Sequence, residues 1–572
     1  MSRSILLGTA LIAIFFFFAA YGGLMATPKF WHDEAVPFEI ARNIAEFGKA
    51  DLAVAPNIFW EESYMTHATG FPLTFPLAGI FKIFGVGILQ SRLFMIMWML
   101  AALATLFFVI RAFFDKKTAF FSVLLIATFS SFYANGRTGT GEIPGFLFLL
   151  CALYFLYQKN WYGWGGFFAA LAAVTKPSMY LFVLPVIVLE ILLAKKSLND
   201  LAEKSQKIKG FVEKSNCLSF SKRANFGFFV KQNLQIFKIS KCLVKRFFCE
   251  GGLSFIAGTI PILLFWLWLI NPNPSSLTAW QEMIAFYQNA FNAPSLLSRF
   301  PAVIPELLTH STIIYFALLF IPIFIAWRKN LFSASQPFDS AQGKNRLVVF
   351  LFLYGAVSFF YFLRSPGWFR YLLGTELLIL MLLPAALSKL FITPSQSFHN
   401  PSQSPLTLRE GDNNKNSPLR VSPGGRGEGG EEVPRTSSRE VTIILLFLAL
   451  FQSIQYFFFA EIPSGTKSIE TARIINELLA ADSNATIGIV DNSPVAALIS
   501  ADRKYQRTLV GNNAPVGMHP LSFPPEQSPA YMLAIKKNDA YQDVFEQYYE
   551  PLPEYPAIYE KKTTPFFIDQ SH

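Results

Sequence analysis

Apolar runs recur along the chain at lengths near the ~20 residues that a helix needs to cross a bilayer. The first covers 5–25, and others follow at 88–110, 118–134, 143–157, 161–174, 179–194, 253–270, 311–325, 347–362, 371–390 and 441–459. These segments predict an all-α polytopic membrane protein with about eleven transmembrane helices. The first run is read as a retained helix rather than a signal peptide, since no small-residue cleavage site follows it cleanly. The stretch 26–87 is too polar at its start to lie in lipid. Within it, Ile40, Ala41, Ile44 and Phe47 fall on one side of 34–47, predicting an amphipathic surface helix with Asp33 as N-cap and Gly48 as stop. Residues 71–84 are apolar but end at Gly85 after fourteen positions. They predict a second juxtamembrane helix, interfacial or re-entrant, rather than a span.

Composition agrees: 52% of the 572 residues are hydrophobic and 15% charged, which excludes a soluble multidomain protein. The net charge of +10 does not indicate nucleic-acid binding, because the basic residues sort by side of the membrane. Residues 195–251 hold thirteen Lys or Arg against four Asp or Glu, whereas 26–87 hold four against seven. The first segment is therefore expected in the cytoplasm and the second outside. Of the four cysteines, Cys151 lies in a span and Cys217, Cys242 and Cys249 lie in the basic segment. Their compartment and spacing suit neither a structural disulfide nor a zinc finger.

The expected organisation is a membrane core over 1–194 with its external first loop at 26–87, a basic cytoplasmic insertion at 195–251, and a second membrane half at 252–391. A low-complexity cytoplasmic insertion follows at 392–440, then a last transmembrane helix at 441–460 and an external soluble domain at 461–572. A shorter insertion is expected at 329–346. The final segment holds fourteen acidic and nine basic residues, and a helix-like stretch before Thr486-Ile487-Gly488-Ile489-Val490 predicts a small α/β domain.

Four polar groups fall at the outer ends of apolar spans, where a lone structural charge is costly. In Trp31-His32-Asp33-Glu34 the adjacent carboxylates cannot point the same way from a helix, so different roles follow. Asp33 reads either as an N-cap or as a general base that takes a proton from an acceptor hydroxyl, a role worth ~10² to 10⁴ in rate. In Arg137-Thr138-Gly139-Thr140-Gly141-Glu142-Ile143-Pro144, a glycine-rich turn, Arg137 and Glu142 either serve chemistry or pair with each other. Lys176 in Thr175-Lys176-Pro177 either meets a phosphate or snorkels to the surface. Arg370, in the segment from Arg364 to Tyr371, either binds an anion or anchors the interface.

In series these motifs resemble the polyprenyl-phosphate-dependent membrane glycosyltransferases of GT-C architecture, of the protein O-mannosyltransferase and aminoarabinose transferase type (glycosyltransferase family 39-like). Asp33-Glu34 with Glu39 resembles the family's acidic first-loop motif, and Phe81-Lys82-Ile83-Phe84-Gly85 its juxtamembrane helix end. Arg137, Glu142 and Pro144 have the spacing of its Arg-x4-Asp-x-Pro element, Thr175-Lys176 resembles its Thr-Lys, and Arg370-Tyr371-Leu372-Leu373 its late Arg-Tyr element. The departures are Glu142 for the commoner Asp, Gly374 where Pro is usual, and Ala68-Thr69-Gly70-Phe71-Pro72 without adjacent prolines.

The resemblance implies a multi-pass enzyme of the plasma (inner) membrane with its active site facing outside or the periplasm. It would move a sugar from a polyprenyl-phosphate donor, with inversion, to a protein, lipid or polysaccharide acceptor among the membrane lipids. Asp33 would be the base, with Glu34 beside it. Arg137, Lys176 and Arg370 would neutralise the leaving phosphate, and Glu142 and His67 would line the cavity. No cofactor is required by the motifs, but a divalent metal is compatible, with His32, Glu61, Glu62, His67 and His310 as the available ligands. The rival readings are a transporter or lipid flippase and an inactive relative. A transporter should show ionisable or broken segments at mid-membrane, whereas these charges lie at span ends.

Overall fold

The computed structural model describes residues 3–60, 69–193, 251–270, 311–329, 331–332, 338–364, 369–392, 438–460, 462–490, 493–500, 502–508, 529–533, 549–553 and 555–562, with single positions at 276, 278, 280, 281 and 305. The insertions expected at 195–251 and 392–440 lie almost wholly outside the described residues. So do Glu61, Glu62, His67, His310 and the three cysteines of the basic segment.

All the apolar runs form helix: α1 (Arg3–Tyr21), α4 (Ile88–Phe113), α5 (Lys116–Ala127) with α6 (Ser130–Gly136), α7 (Glu142–Tyr157), α8 (Tyr162–Thr175), α9 (Pro177–Tyr180) with α10 (Val183–Leu193), α11 (Gly252–Ile270), α12 (Ser311–Arg328), α13 (Phe338–Arg364), α14 (Leu373–Ile392) and α15 (Ser438–Phe458). The expected eleven spans are not established by length. Among the described residues six helices are long and apolar enough to cross a membrane, or seven if α5 and α6, bent by 66°, make one broken span. The helices α3 (Phe71–Phe84) and α7 and the stretch Pro177–Leu192 are shorter apolar helices.

The apolar surface identifies the medium. Helices α1, α11, α12 and α15 expose Phe17, Phe18, Leu264, Trp268, Leu318, Phe447, Leu450 and Phe458. A belt of this size is far more than a water-soluble chain tolerates, and backbone groups in lipid are satisfied only by closed structures such as these helices. The chain is an integral membrane protein. Its inner helix is α14, packed against α5, α12 and α15. Helix α8 packs along both α7 and α11. Small residues make the α8/α11 approach possible, since a Cβ added at Gly258 would meet the Gly163 carbonyl oxygen at 1.9 Å.

Residues 329–346, expected as an insertion, are in part structural. From Phe338 the chain is already in α13, and Arg346 holds buried Glu190 of α10 through two hydrogen bonds of 2.7 and 2.8 Å while stacking on Tyr157. Lys344 is also buried. From sequence these basic residues count as loop, because their charge is weighed against lipid and not against a partner.

After the last long helix, α16 (Lys467–Ala481) leads into a five-stranded sheet of order β4 (Tyr505–Thr508), β3 (Ile487–Val490), β5 (Tyr531–Leu533), β7 (Tyr555–Lys561), β6 (Tyr549–Leu552). The first three strands are parallel, and β7 and β6 add antiparallel pairs. Ile475 and Leu479 of α16 and Val495 of the short helix α17 (Ser493–Ala496) cover one face. The first loop joins this domain: β1 (Ala53–Ala55), paired with β2 (Ile58–Phe59), lies beside β4, and Ala53 enters the same core.

Arg346→Met should leave the Glu190 carboxylate buried and unpaired, lowering stability by about 3–5 kcal/mol. Thermal unfolding in detergent checks this, and Glu190→Gln combined with Arg346→Met should recover most of the loss.

Candidate active site

Helix α2 (His32–Phe47) builds the centre of the site. The expected N-cap is corrected: Trp31 occupies that position in extended conformation, its carbonyl accepting the Glu34 and Ala35 amides, and Asp33 lies in the first turn. There it benefits from the positive end of the helix without capping it. The far end stops at Gly48 in left-handed conformation, as glycine permits. Pro37 lacks the amide hydrogen that would bond the Asp33 carbonyl, so the first turn has one helical hydrogen bond fewer and gains from outside contacts.

Those contacts diverge at the two carboxylates. Glu34 is buried against Arg92 of α4, whose Nε and Nη2 donate to its two oxygens at 3.2 and 3.1 Å. The same guanidinium donates to the carbonyls of Leu24 and, at 2.6 Å, Pro28. Burial pushes the Glu34 carboxyl above the ordinary carboxylate range, opposed by Arg92, by a backbone hydrogen bond from Gly139 and by the charge of Arg137. Asp33 instead remains partly exposed and forms an ion pair with Arg370, whose guanidinium also lies 5.0 Å from the Trp31 ring centre and 5.6 Å from that of Tyr371. Arg370 belongs to a single 3-10 turn, Phe369–Leu372, that feeds α14.

Of the other predicted residues, Glu142 acts electrostatically on Arg370, whereas Arg137 acts on Glu34. Glu142 begins α7 and faces Lys176 at 3.7 Å, both buried. Arg137 does not pair with Glu142. It is fully buried, with Nη1 donating to the Gly22 carbonyl at 2.8 Å, while its Nε and Nη2 have no partner among the described residues. Unsatisfied guanidinium nitrogens in a buried position are costly and call for a partner of opposite charge. Backbone approach sets this geometry: the Gly70 amide donates to the Thr175 carbonyl at 3.1 Å, and a Cβ on Gly70 would lie 2.0 Å from the Val174 carbonyl oxygen. Gly141, at φ +90°, would bring a Cβ within 2.8 Å of the Thr175 carbonyl oxygen. Gly374, where the family pattern has proline, leaves room for the Tyr354 hydroxyl that bonds the Met179 carbonyl.

His67 lies outside the described residues, and His32 is exposed. Among the described residues no three His, Cys, Asp or Glu side chains converge as metal ligands. Sequence reasoning misses Arg92, which organises the loop more than any predicted residue. An arginine one turn inside the strongly apolar α4 is the available signal.

Residues 71–210 match the family model for dolichyl-phosphate-mannose-protein mannosyltransferases. No curated protein matches in sequence. Among solved structures, the chain resembles the archaeal oligosaccharyltransferase AglB from Archaeoglobus fulgidus in complex with an inhibitory peptide and a dolichol-phosphate, at TM-score 0.50 and 11% identity over 99% of this chain and 75% of that one. A second structure of the Archaeoglobus fulgidus oligosaccharyltransferase, with zinc and sulfate, gives 0.47 and 12% over 97% and 73%. ArnT from Cupriavidus metallidurans bound to undecaprenyl phosphate gives 0.41 and 12% over 86% and 74%. The chain thus shares the membrane fold of the AglB structure, and its likeness to the mannosyltransferase family extends over residues 71–210.

Gly141→Val should disrupt the turn that brings Glu142 to Lys176, through both its positive φ and the Thr175 carbonyl. A fall in the detergent thermal midpoint, larger than for Gly79→Val in α3, where a Cβ meets nothing within 4 Å, is the expected result.

Proposed function

We propose that the chain is a glycosyltransferase that moves a sugar from a polyprenyl-phosphate donor to an acceptor hydroxyl, with inversion, on the outer face of the plasma membrane. The observation that carries this reading is the Asp33–Arg370 ion pair, partly exposed and ringed by Trp31 and Tyr371, with Lys176 buried beside Glu142 and Arg137 keeping two nitrogens unpartnered among the described residues. A base beside a cluster of cations suits a reaction in which one group loses a proton and another gains negative charge. The match to mannosyltransferases over 71–210 and the fold shared with a protein that binds dolichol-phosphate support the same reading.

In the reaction the acceptor's lone pair attacks the anomeric carbon from the face opposite the phosphate. The carbon–oxygen bond to phosphate breaks, the electron pair leaves with the polyprenyl phosphate, and the acceptor proton passes to Asp33. The charge that grows is on the leaving oxygen, and preorganised cations stabilise it most where water is scarce. Arg370 is the first such cation. Its present partner, Asp33, occupies the place that an anionic donor would take, so donor binding draws Arg370 to the phosphate and frees Asp33 as base. Arg137, with two nitrogens unpartnered among the described residues, and Lys176 complete the cradle. Glu34, held by Arg92, orients the turn that carries Asp33.

Membranes carrying the wild type should transfer label from one of a panel of polyprenyl-phosphate sugars. Asp33→Asn should lower that transfer by ~10² to 10⁴ while binding polyprenyl phosphate at least as tightly as wild type, since Arg370 loses its competing carboxylate. Transfer by neither protein from any donor would return the chain to the transporter reading, and equal transfer by both would place the base elsewhere. Arg370→Met should weaken polyprenyl-phosphate binding, measured by microscale thermophoresis, at least tenfold.

A further inference from the structure

The C-terminal domain grips α2 through polar contacts beyond the helix's first turn. Glu39, nearly two turns after Asp33, is buried, and its Oε2 accepts from Nη1 of the buried Arg507 on β4 at 2.7 Å. Its other oxygen accepts the Ala53 amide at 3.1 Å, fixing the β1 hairpin that flanks β4. One turn on, Arg42 donates through Nη1 to the carbonyls of Ala497 and Ile499 at 3.0 and 2.8 Å, just after α17. Asn43 donates to the Asp51 carbonyl at 2.7 Å. On the adjacent face, Ala35, Phe38 and Ala41 share one core with Leu77 and Phe81 of α3, Met95 of α4 and Ala497 of the domain. The lead into α2 is held from the same quarter, since Lys29 donates its amide to the Pro463 carbonyl and Gly465 donates to that of Ala26.

We infer that Glu39 and Arg507 are positioning residues for the transfer reaction: their buried ion pair lets the C-terminal domain set the place of α2, and with it Asp33, relative to Arg370. A buried carboxylate–guanidinium pair is a weak source of net stability against apolar substitutes of like shape, but it fixes geometry more narrowly than packing does. Here it fixes the one helix that bears the base, in which Pro37 offers no amide hydrogen to the Asp33 carbonyl. The domain on this account is part of the catalytic apparatus without touching the substrate, and transfer would depend on its docking. The inference rests on the proposed role of Asp33.

Full-length protein carrying both Glu39→Gln and Arg507→Met tests it. Removing both partners avoids stranding either one, and Arg42, whose Nη2 also lies 3.9 Å from Glu39 Oε1, keeps its hydrogen bonds to the Ala497 and Ile499 carbonyls, so the double variant should keep a thermal midpoint near that of wild type. Two readouts follow. Hydrogen–deuterium exchange should rise at least tenfold in α2 between Ala35 and Asn43 while β3 and β5 stay protected. The kcat for transfer should fall at least tenfold while the affinity for polyprenyl phosphate alone changes less than twofold. Wild-type exchange in α2, or wild-type kcat with altered exchange, would overturn the inference. If the wild type transfers from no donor, the proposed function fails by itself, and unchanged or raised exchange in α2 then decides whether the domain holds this helix.

Discussion

The geometry of this protein's polar end depends on one buried guanidinium. Arg92 reaches from α4 to Glu34 and to the carbonyls of Leu24 and Pro28, so a single side chain ties a membrane helix to the segment that links α1 to α2. A buried charge without a partner is severely unfavourable, and Arg92 and Glu34 can satisfy each other only when that segment runs where it does. Asp33 is then left on the other side of the turn, facing Arg370. The divergence of two neighbouring carboxylates, one structural and one open to solvent, follows from helical geometry together with this constraint.

Helix α2 is shared property. Its apolar face belongs to the core formed with α3 and α4, and its polar face belongs to the C-terminal domain through Glu39, Arg42 and Asn43. A hydrophobic contact tolerates small slides, whereas hydrogen-bonded charges do not. The arrangement therefore lets the bilayer-embedded helices supply Lys176, Glu142 and Arg370 while the sheet domain fixes the element opposite them. Glycines at Gly70 and Gly141 allow the backbones of two turns to approach the end of α8 closely enough for these groups to meet.

Much of the fold could be read from the chain. The apolar runs, the stop of α2 at Gly48, the fourteen residues of α3 and the strand at Ile487 were all legible, because the period and length of apolar segments reflect burial in lipid or core directly. The candidate site was legible only as residue types at span ends. That Lys176 pairs with Glu142 and Arg137 does not, and that Trp31 rather than Asp33 occupies the N-cap, could not be read, since pairing depends on how separate helices pack and the cap on where the helix begins. Arg92, Arg346 and Arg507 escape notice for a related reason. A lone basic residue reads as surface or loop until its carboxylate is known, and the partners Glu34, Glu190 and Glu39 lie far away in sequence.

What the sequence by itself determined is the medium and the parts: a membrane chain, its helices, its small α/β domain and its inventory of charges at helix ends. Hydrophobic transfer is local and additive, so the composition of each segment decides whether it lies in lipid or in water. What only the tertiary structure decided is which charge meets which, since a buried ion pair exists only when packing brings both members together, and that choice separates Asp33 from Glu34 and binds α2 to the domain that follows the last helix.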